Sequence, residues 1–313
     1  MSASLEWSFQ RYLAAKTSVD DRALNRHVWN TLMDALQRRA SAPPLRILEV
    51  GAGIGTMVER WLTWSSIRDV HYTALDVNPS NVVELCRRLP AWALQRGWGG
   101  EPNGDDGTLT LMQANSVAVV APVVDDFFAF AARQDSRRCY DLLIAHAFMD
   151  LVDTHRAIAA AWSLLKPAGL LYATLVFDGA TILLPTLDPV LDATIVREYH
   201  ATMDERVKER GEPSGDSCSG RHLLAHLVAT EAAILAAGSS DWVVVPQQGA
   251  YPHDEAYFLH VIIATVSQAL QGRAGLDQDD LAEWIGARHA QIERGELICI
   301  AHQLDVLARA PSV

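Results

Sequence analysis

Five short apolar runs, each followed by a helical pattern, fill residues 45–177 and leave few folds open to this chain. The runs are Leu45–Val50 (LRILEV), Val70–Asp76 (VHYTALD), Thr108–Gln113, 140–145 (YDLLIA) and 170–177. Helical patterns at Thr56–Trp64, after Asn78-Pro79-Ser80, at 125–134 and at 154–165 separate them, and the glycine-rich stretch 97–107 reads as a loop. Such alternation predicts a parallel sheet with helices on both faces, the doubly wound α/β class. Right-handed crossovers then bring the C-terminal ends of the strands to one edge, where ligands bind. The flanking segments read differently. Residues 5–40 form a helical pattern that Pro43 and Pro44 end. Beyond the fifth run come a helix at 188–210, a loop at 213–220, an apolar helix at 223–237, a strand at 241–245, helices at 255–270 and 279–294, and a last strand within 297–307. The expected sheet has seven strands, parallel except for one near the end. Segments 242–245 and 297–302 pair antiparallel at its edge, and helical additions sit at the N-terminus and between these late strands.

The first run enters Glu49-Val50-Gly51-Ala52-Gly53-Ile54-Gly55, which opens a helix. Glycines belong where backbone takes positive φ or must approach a ligand closely. The pattern is ExGxGxG rather than the GxGxxG of dinucleotide sites. A carboxylate before the turn suits a cationic ligand better than a pyrophosphate. Asp76 ends the second run, where a carboxylate can accept ribose hydroxyls. Asn115 and Ser116 follow the third run and are placed at an adenine edge. His146 and Asp150 follow the fourth.

These residues carry a resemblance. ILEVGAGIG at 47–55, YTALDVN at 72–78, YDLLIAHAFMDL at 140–151 and LLKPAGLLY at 164–172 are similar, in order and spacing, to the class I S-adenosylmethionine-dependent methyltransferase superfamily. The resemblance implies a Rossmann-like sheet and S-adenosylmethionine as cofactor. Glu49, Gly51, Gly53 and Gly55, with Ala52 between them, would lie around its methionine part, and Asp76 with Val77 at its ribose. The family often has an acid after the third strand for the adenine amino group; Asn115 stands nearby instead. The NPPY tetrad of amino-group methyltransferases is absent at 146–149 (HAFM), which counts against nucleobase or glutamine N-methylation. Family members also carry an N-terminal cover helix, so Tyr12, Lys16 or Arg22 is expected at the cofactor's carboxylate. The implied division is a cover over 1–44, a cofactor-binding core over 45–177 and a substrate side over 178–313.

On the substrate side, Arg221 is expected to hold an anionic or carbonyl group, with Tyr251 and Tyr257 as walls. His146, Asp150 or His253 is the expected base. The expected acceptor is a small organic molecule, an acid or a phenol, methylated by in-line displacement. Two other functions stay open: a cofactor-binding regulatory subunit without catalysis, and an NAD-linked oxidoreductase.

Charge and composition narrow the partners. Lys plus Arg number 26 against 38 Asp plus Glu, a net charge of −12 that repels polyphosphate backbones, so no nucleic acid is expected. Cys86, Cys139, Cys218 and Cys299 are scattered without a CxxC pair. His222 and His226 stand four apart but lack a third ligand, so no metal is expected. No signal-peptide pattern and no spanning apolar run point to the cytoplasm rather than a membrane. A second copy of the chain, as a homodimer, is left open.

Overall fold

The computed structural model describes residues 8–38, 44–103, 107–206, 211 and 214–311. Sequence readings at 5–7, 39–43, 104–106, 207–210 and 212–213 lie outside the described residues. Among those described, ten strands make one sheet. They are β1 (Leu45–Val50), β2 (Val70–Asp76), β3 (Gly99–Asn103), β4 (Thr108–Gln113), β5 (Ser116–Val124), β6 (Tyr140–His146), β7 (Leu165–Leu184), β8 (Ala233–Ser239), β9 (Trp242–Val244) and β10 (Ile298–Arg309). The order is β3-β4-β5-β2-β1-β6-β7-β10-β8, with β9 also on β10.

Strands β5, β2, β1, β6 and β7 are parallel, and β10 runs antiparallel to both β7 and β8. Ile47, Leu48 and Val50 of the central β1 are wholly buried because helices cover both sheet faces. The segments 242–245 and 297–302 do pair antiparallel, with Val244 opposite Cys299.

Three strands exceed the expected seven, and three sequence readings need correction. The third parallel strand is β5, not Thr108–Gln113. The latter is β4, antiparallel to β5 across a turn in which Ala114 takes φ 53°. That turn lacks the Asn-Gly or Asp-Gly that marks a tight hairpin, and Pro122 weakens the strand signal of β5. The stretch read as a loop contains β3, paired with β4. The helix read over 223–237 stops early. Helix α9 (Ser219–Ala229) ends in a Schellman turn, with Ala232 N–H on Leu227 O and Glu231 N–H on Val228 O, and β8 follows. The residue at positive φ is Glu231, not glycine, so the sequence carried no stop signal. The alanine-rich β8 cannot be told from helix by periodicity.

The helices that bear on the site are α1 (Phe9–Ala15), α2 (Thr17–Ala23), α3 (Arg26–Arg38), α4 (Thr56–Trp64), α5 (Pro79–Gln95), α6 (Phe127–Ala131), α7 (Thr154–Leu164), α8 (Pro189–Asp204), α10 (Glu255–Leu270) and α11 (Gln278–Glu293). Strand β7 overshoots β6: Thr174 is level with His146, and the rest of β7 pairs only with β10 among the described residues. The carboxylate of Asp305 in β10, fully buried, pins this departure by accepting from Leu175 N–H and Asn25 N–H, both at 2.8 Å. Burial pushes its pKa up to about 6.

Helices α1 and α2 have only seven residues each, too short to stand alone. Side chains fasten them. Gln10 donates to Asn81 in α5 at 3.0 Å. Arg11 pairs with Asp254 at 3.1 Å, and Arg22 grips the fully buried Glu255 through two bonds of 2.7 and 3.0 Å. Among the described residues, no helix is long and apolar enough to cross a membrane.

Candidate active site

Where β1 ends, the chain turns through Gly51, Gly53 and Gly55 at φ 68°, 55° and 85° before α4 begins. A side chain at Gly51 would place its Cβ 2.8 Å from Phe148, and one at Gly53 would meet Leu13 of α1 at 3.2 Å. The glycines therefore permit both the turn and the approach of a cover on either side. The turn borders a cavity of about 430 Å³ at the C-terminal edge of the parallel strands, within the roughly 300–1,000 Å³ range of small-molecule and cofactor sites. Phe9, Leu13 and Lys16 of the cover reach it, as do Glu49, Ala52, Asp76 and Val77.

Asp76 is organised from three directions. Its Oδ2 accepts from Gly53 N–H at 2.7 Å; its Oδ1 accepts from Asn78 N–H at 2.8 Å and from the Asn81 amide at 3.2 Å. It is buried yet borders the cavity. Glu49 is 1% exposed and accepts from the Tyr72 hydroxyl at 2.8 Å. Burial pushes its pKa up to about 8, against the opposing pull of Tyr72 and Arg60.

Asn115 and Ser116, expected at an adenine edge, sit in the β4–β5 turn at the N-terminal end of β5, the opposite side of the sheet. The end of β5 that faces the cavity carries Asp125 and Asp126. Asp126 caps α6 through bonds to Phe128 and Ala129 N–H; Asp125 pairs with Arg133. Sequence reasoning missed this pair because it misassigned the third strand. The residues VVDD before an apolar helix were the available signal.

His146 borders the cavity but has no free ring nitrogen. Nδ1 lies 2.9 Å from the Thr174 hydroxyl, and Nε2 lies 3.2 Å from Asp20 and 3.1 Å from Arg60. Burial, with help from the Arg60 and Lys16 charges, lowers its pKa to about 4 despite Asp20. Asp20 itself is fully buried. Burial works to raise its pKa, but Lys16 at 3.0 Å, His146 and Arg60 hold it below the usual carboxylate range. Trp242 completes the hub, donating Nε1–H to Asp20 at 2.9 Å. The geometry thus casts His146 as an anchor of the cover rather than a free base. Of the three cover residues singled out, Lys16 reaches the cavity, while Tyr12 stacks on Phe258 and Arg22 is held by Glu255.

The remaining expectations disperse. Arg221 is committed to Asp178 at 2.8 Å. The Tyr251 hydroxyl donates to Leu297 O at 2.8 Å. Tyr257 accepts from Ser8 N–H at 3.1 Å and lies under Arg11. His253 is exposed before α10 and outside the cavity. The 251–260 segment therefore clamps the cover from outside instead of folding over the opening. Asp150 does not border the cavity, although Phe148, Leu151 and Val152 on either side of it do.

No family model matches the chain, and no curated protein matches it. Solved structures to which it is similar include Haemonchus contortus phospholethanolamine N-methyltransferase 2, at 14% identity and a TM-score of 0.44, over 97% of this chain and 58% of that one. The chain thus spans little more than half of that protein. Others are geranyl diphosphate C-methyltransferase from Streptomyces coelicolor (11%, 0.41, over 91% and 81%) and a methyltransferase from Thiobacillus denitrificans (13%, 0.43, over 96% and 98%). The likeness is distant in each case, and each of the three is by name a methyltransferase.

Proposed function

We propose that the cavity binds S-adenosylmethionine and that the protein transfers its methyl group to a small molecule. The observation that carries this reading is the convergence on one cavity of Asp76, the Gly51–Gly53 turn, Asp125 with Asp126, the Glu49 carboxyl and the Lys16 ammonium. That donor set suits a zwitterionic, ribose-bearing cation. Asp76 accepts the ribose hydroxyls, a charge-assisted interaction. Val77 and Phe127 offer apolar walls for adenine, and Asp125 an acceptor for its amino group. Glu49 takes the ammonium and Lys16 the carboxylate. The sulfonium supplies an already activated methyl, so the chain's own task is alignment and exclusion of water. Leu13 and Phe9 of the cover serve that exclusion. A covered cavity and a net charge of −12 favour a small acceptor over a nucleic acid.

Calorimetric titration with S-adenosylmethionine, S-adenosylhomocysteine and NAD tests the reading. Saturable binding of the first two, weakened at least tenfold in Asp76→Ala, is expected. Binding of NAD alone, or undiminished affinity in the variant, would overturn it.

A further inference from the structure

Past Thr174, the end of β7 joins β10 and β9 in a small sheet that projects beyond β6, and its two faces differ. On one face Leu183, Cys299 and Val244 stand in register across the three strands, buried in a cluster with Phe258 of α10. On the other, Ile182, Ile300 and Val243 stand in register. Leu184 opposite Ile298 makes the next row, and Val245 falls on the same side by strand alternation. Ile182, Leu184, Val243 and Val245 are 39–48% exposed, and Ile298 and Ile300 are partly exposed. We propose that this bare face is the interface of a homodimer, packed against its own copy about a two-fold axis.

The face is bare because the helix layer on that side ends. Gly220, at the start of α9, sits so close to the sheet that an added Cβ would come 2.9 Å from Asp178 and 3.1 Å from Leu304. Further along the strands, the exposure of the two aliphatic rows shows that nothing among the described residues roofs them. A groove of about 790 Å³ continues the surface sideways, between residues 179–184 of β7 and Ala193 and Val196 of α8. Contiguous apolar patches of this kind mark interaction sites, and on a lone chain they are an aggregation liability.

Shape, area and charge select a second copy. Sheets pack face to face through apolar rows about 10 Å apart, so a flat strand face is matched by another flat strand face. Two-fold packing of one patch on itself closes the pair and leaves neither face exposed. The six aliphatic side chains and the groove wall expose on the order of 500 Å² of apolar surface. A standard interface takes about 800 Å² from each partner, and roughly 65% of it is apolar in homodimers, which is about 520 Å². None of the six is charged. Charges around them are paired within the chain: Asp178 with Arg221, Asp241 with His302, and Glu296 with Arg294. A strongly charged partner would find no free counter-charge here, and an anionic lipid surface no basic cluster to draw it. The chain's net charge of −12 opposes self-association at long range, so a second copy requires an uncharged zone of contact such as this one.

Sedimentation velocity of the full chain from roughly 1 to 100 µM tests the interface. A species of twice the 34.3 kDa chain mass should form within that range. Val243→Ser should raise the dimer dissociation constant at least tenfold, and Ile182→Lys with Val243→Lys should leave monomer throughout. Both side chains are exposed in the single chain, so circular dichroism of the variants should match wild type; if the double-lysine chain misfolds, Val243→Ser alone decides. Salt should tighten the dimer, since it screens the repulsion between two acidic chains while leaving apolar contact intact. A dimer indifferent to these substitutions, or one weakened by salt, forms through another surface and overturns the proposal. A chain that stays monomeric overturns it too, and carbene footprinting of its side chains then separates the alternatives. Protected Ile182 and Val243 would mean that a segment of the same chain covers the face; labelled ones would assign it to a different protein.

Discussion

His146 Nε2 lies 3.2 Å from Asp20 Oδ2, so the C-terminal end of a core strand is bonded directly to the helix pair that covers the cavity. Asp20 also holds Lys16 and Trp242, and Arg60 lies 3.7 Å away. One buried carboxylate thus joins α2, α4, β6 and β9. Removing it leaves Lys16, 7% exposed, without its counter-charge, while Arg60 keeps Asp21 at 2.6 Å. Asp20→Ala should cost about 3–5 kcal/mol, the usual penalty for orphaning a buried charge. Urea denaturation reads it directly; a loss under 1 kcal/mol would show that the hub contributes little.

The same hub predicts acid sensitivity. The pKa of His146, about 4, lies below its ordinary 6.5 because the buried ring resists charging. Below 6.5 the unfolded chain binds a proton that the folded chain refuses, so stability falls as pH drops from 6.5 towards 4. The contribution of this one group is at most roughly 3 kcal/mol. Glu49, with its pKa pushed up to about 8, acts in the opposite sense between 8 and its ordinary 4.5. The comparison is therefore best made in a Glu49→Gln background. There, His146→Gln should flatten the fall in stability between pH 6.5 and 4, and an unaltered profile would count against the neutral His146.

Glu49 also predicts how binding responds to pH. With its pKa near 8 the unliganded carboxyl is largely protonated at neutral pH. A cationic ligand favours the ionised form, so binding should release a proton and tighten as pH rises towards 8, by roughly tenfold per unit at most. Calorimetry of S-adenosylhomocysteine binding in phosphate and in Tris, whose ionisation enthalpies differ, measures that proton. Glu49→Gln should abolish the release. If the wild type releases none, Glu49 does not face the ligand's ammonium.

A side chain at Gly53 tests the turn and the cover together. The residue sits at φ 55°, and its Cβ would come 3.2 Å from Leu13. A β-branched residue there costs about 1–2 kcal/mol in backbone strain and displaces α1. Gly53→Val should abolish cofactor binding, and Gly53→Ala in a Leu13→Ala background should recover part of it. Failure of the second substitution to help would show that the strain, not the cover, is decisive.

Much of this architecture was legible in the sequence, for physical reasons. The strands at 45–50, 70–76 and 140–146 are apolar because they are buried on both faces, and the glycine turn shows itself because positive φ demands glycine. What stayed hidden lacked local chemistry. The β4–β5 hairpin turns at Ala114, and α9 stops at Glu231, both at positive φ without glycine. Nothing local to Asp20 marks it as a hub; only its partners from β6, α4 and β9, distant in sequence, reveal one. Arg221 and Tyr257 are the reverse case, conspicuous residues whose bonds go to Asp178 and Ser8.

The cover's attachment gives the last prediction. Glu255 is fully buried at the start of α10 and is gripped by Arg22 and by the Ser18 hydroxyl at 2.7 Å. Arg22 is 48% exposed, so most of the cost of breaking the contact falls on Glu255, which cannot reach water. Arg22→Ala removes the cation and leaves the carboxylate with Ser18 alone. Helices α1 and α2, too short to persist undocked, should then detach more often while the sheet remains folded. Limited proteolysis should cut first within residues 9–23, and hydrogen exchange should accelerate there but not in β1 or β6. Because Leu13 and Lys16 leave the cavity with the cover, affinity for S-adenosylhomocysteine should fall about three- to tenfold. Bound ligand should in turn restore protection to α1, since binding and docking are linked. Unchanged exchange in α1 and α2 would mean that the Asp20 hub and the Arg11–Asp254 pair hold the cover without the Glu255 latch.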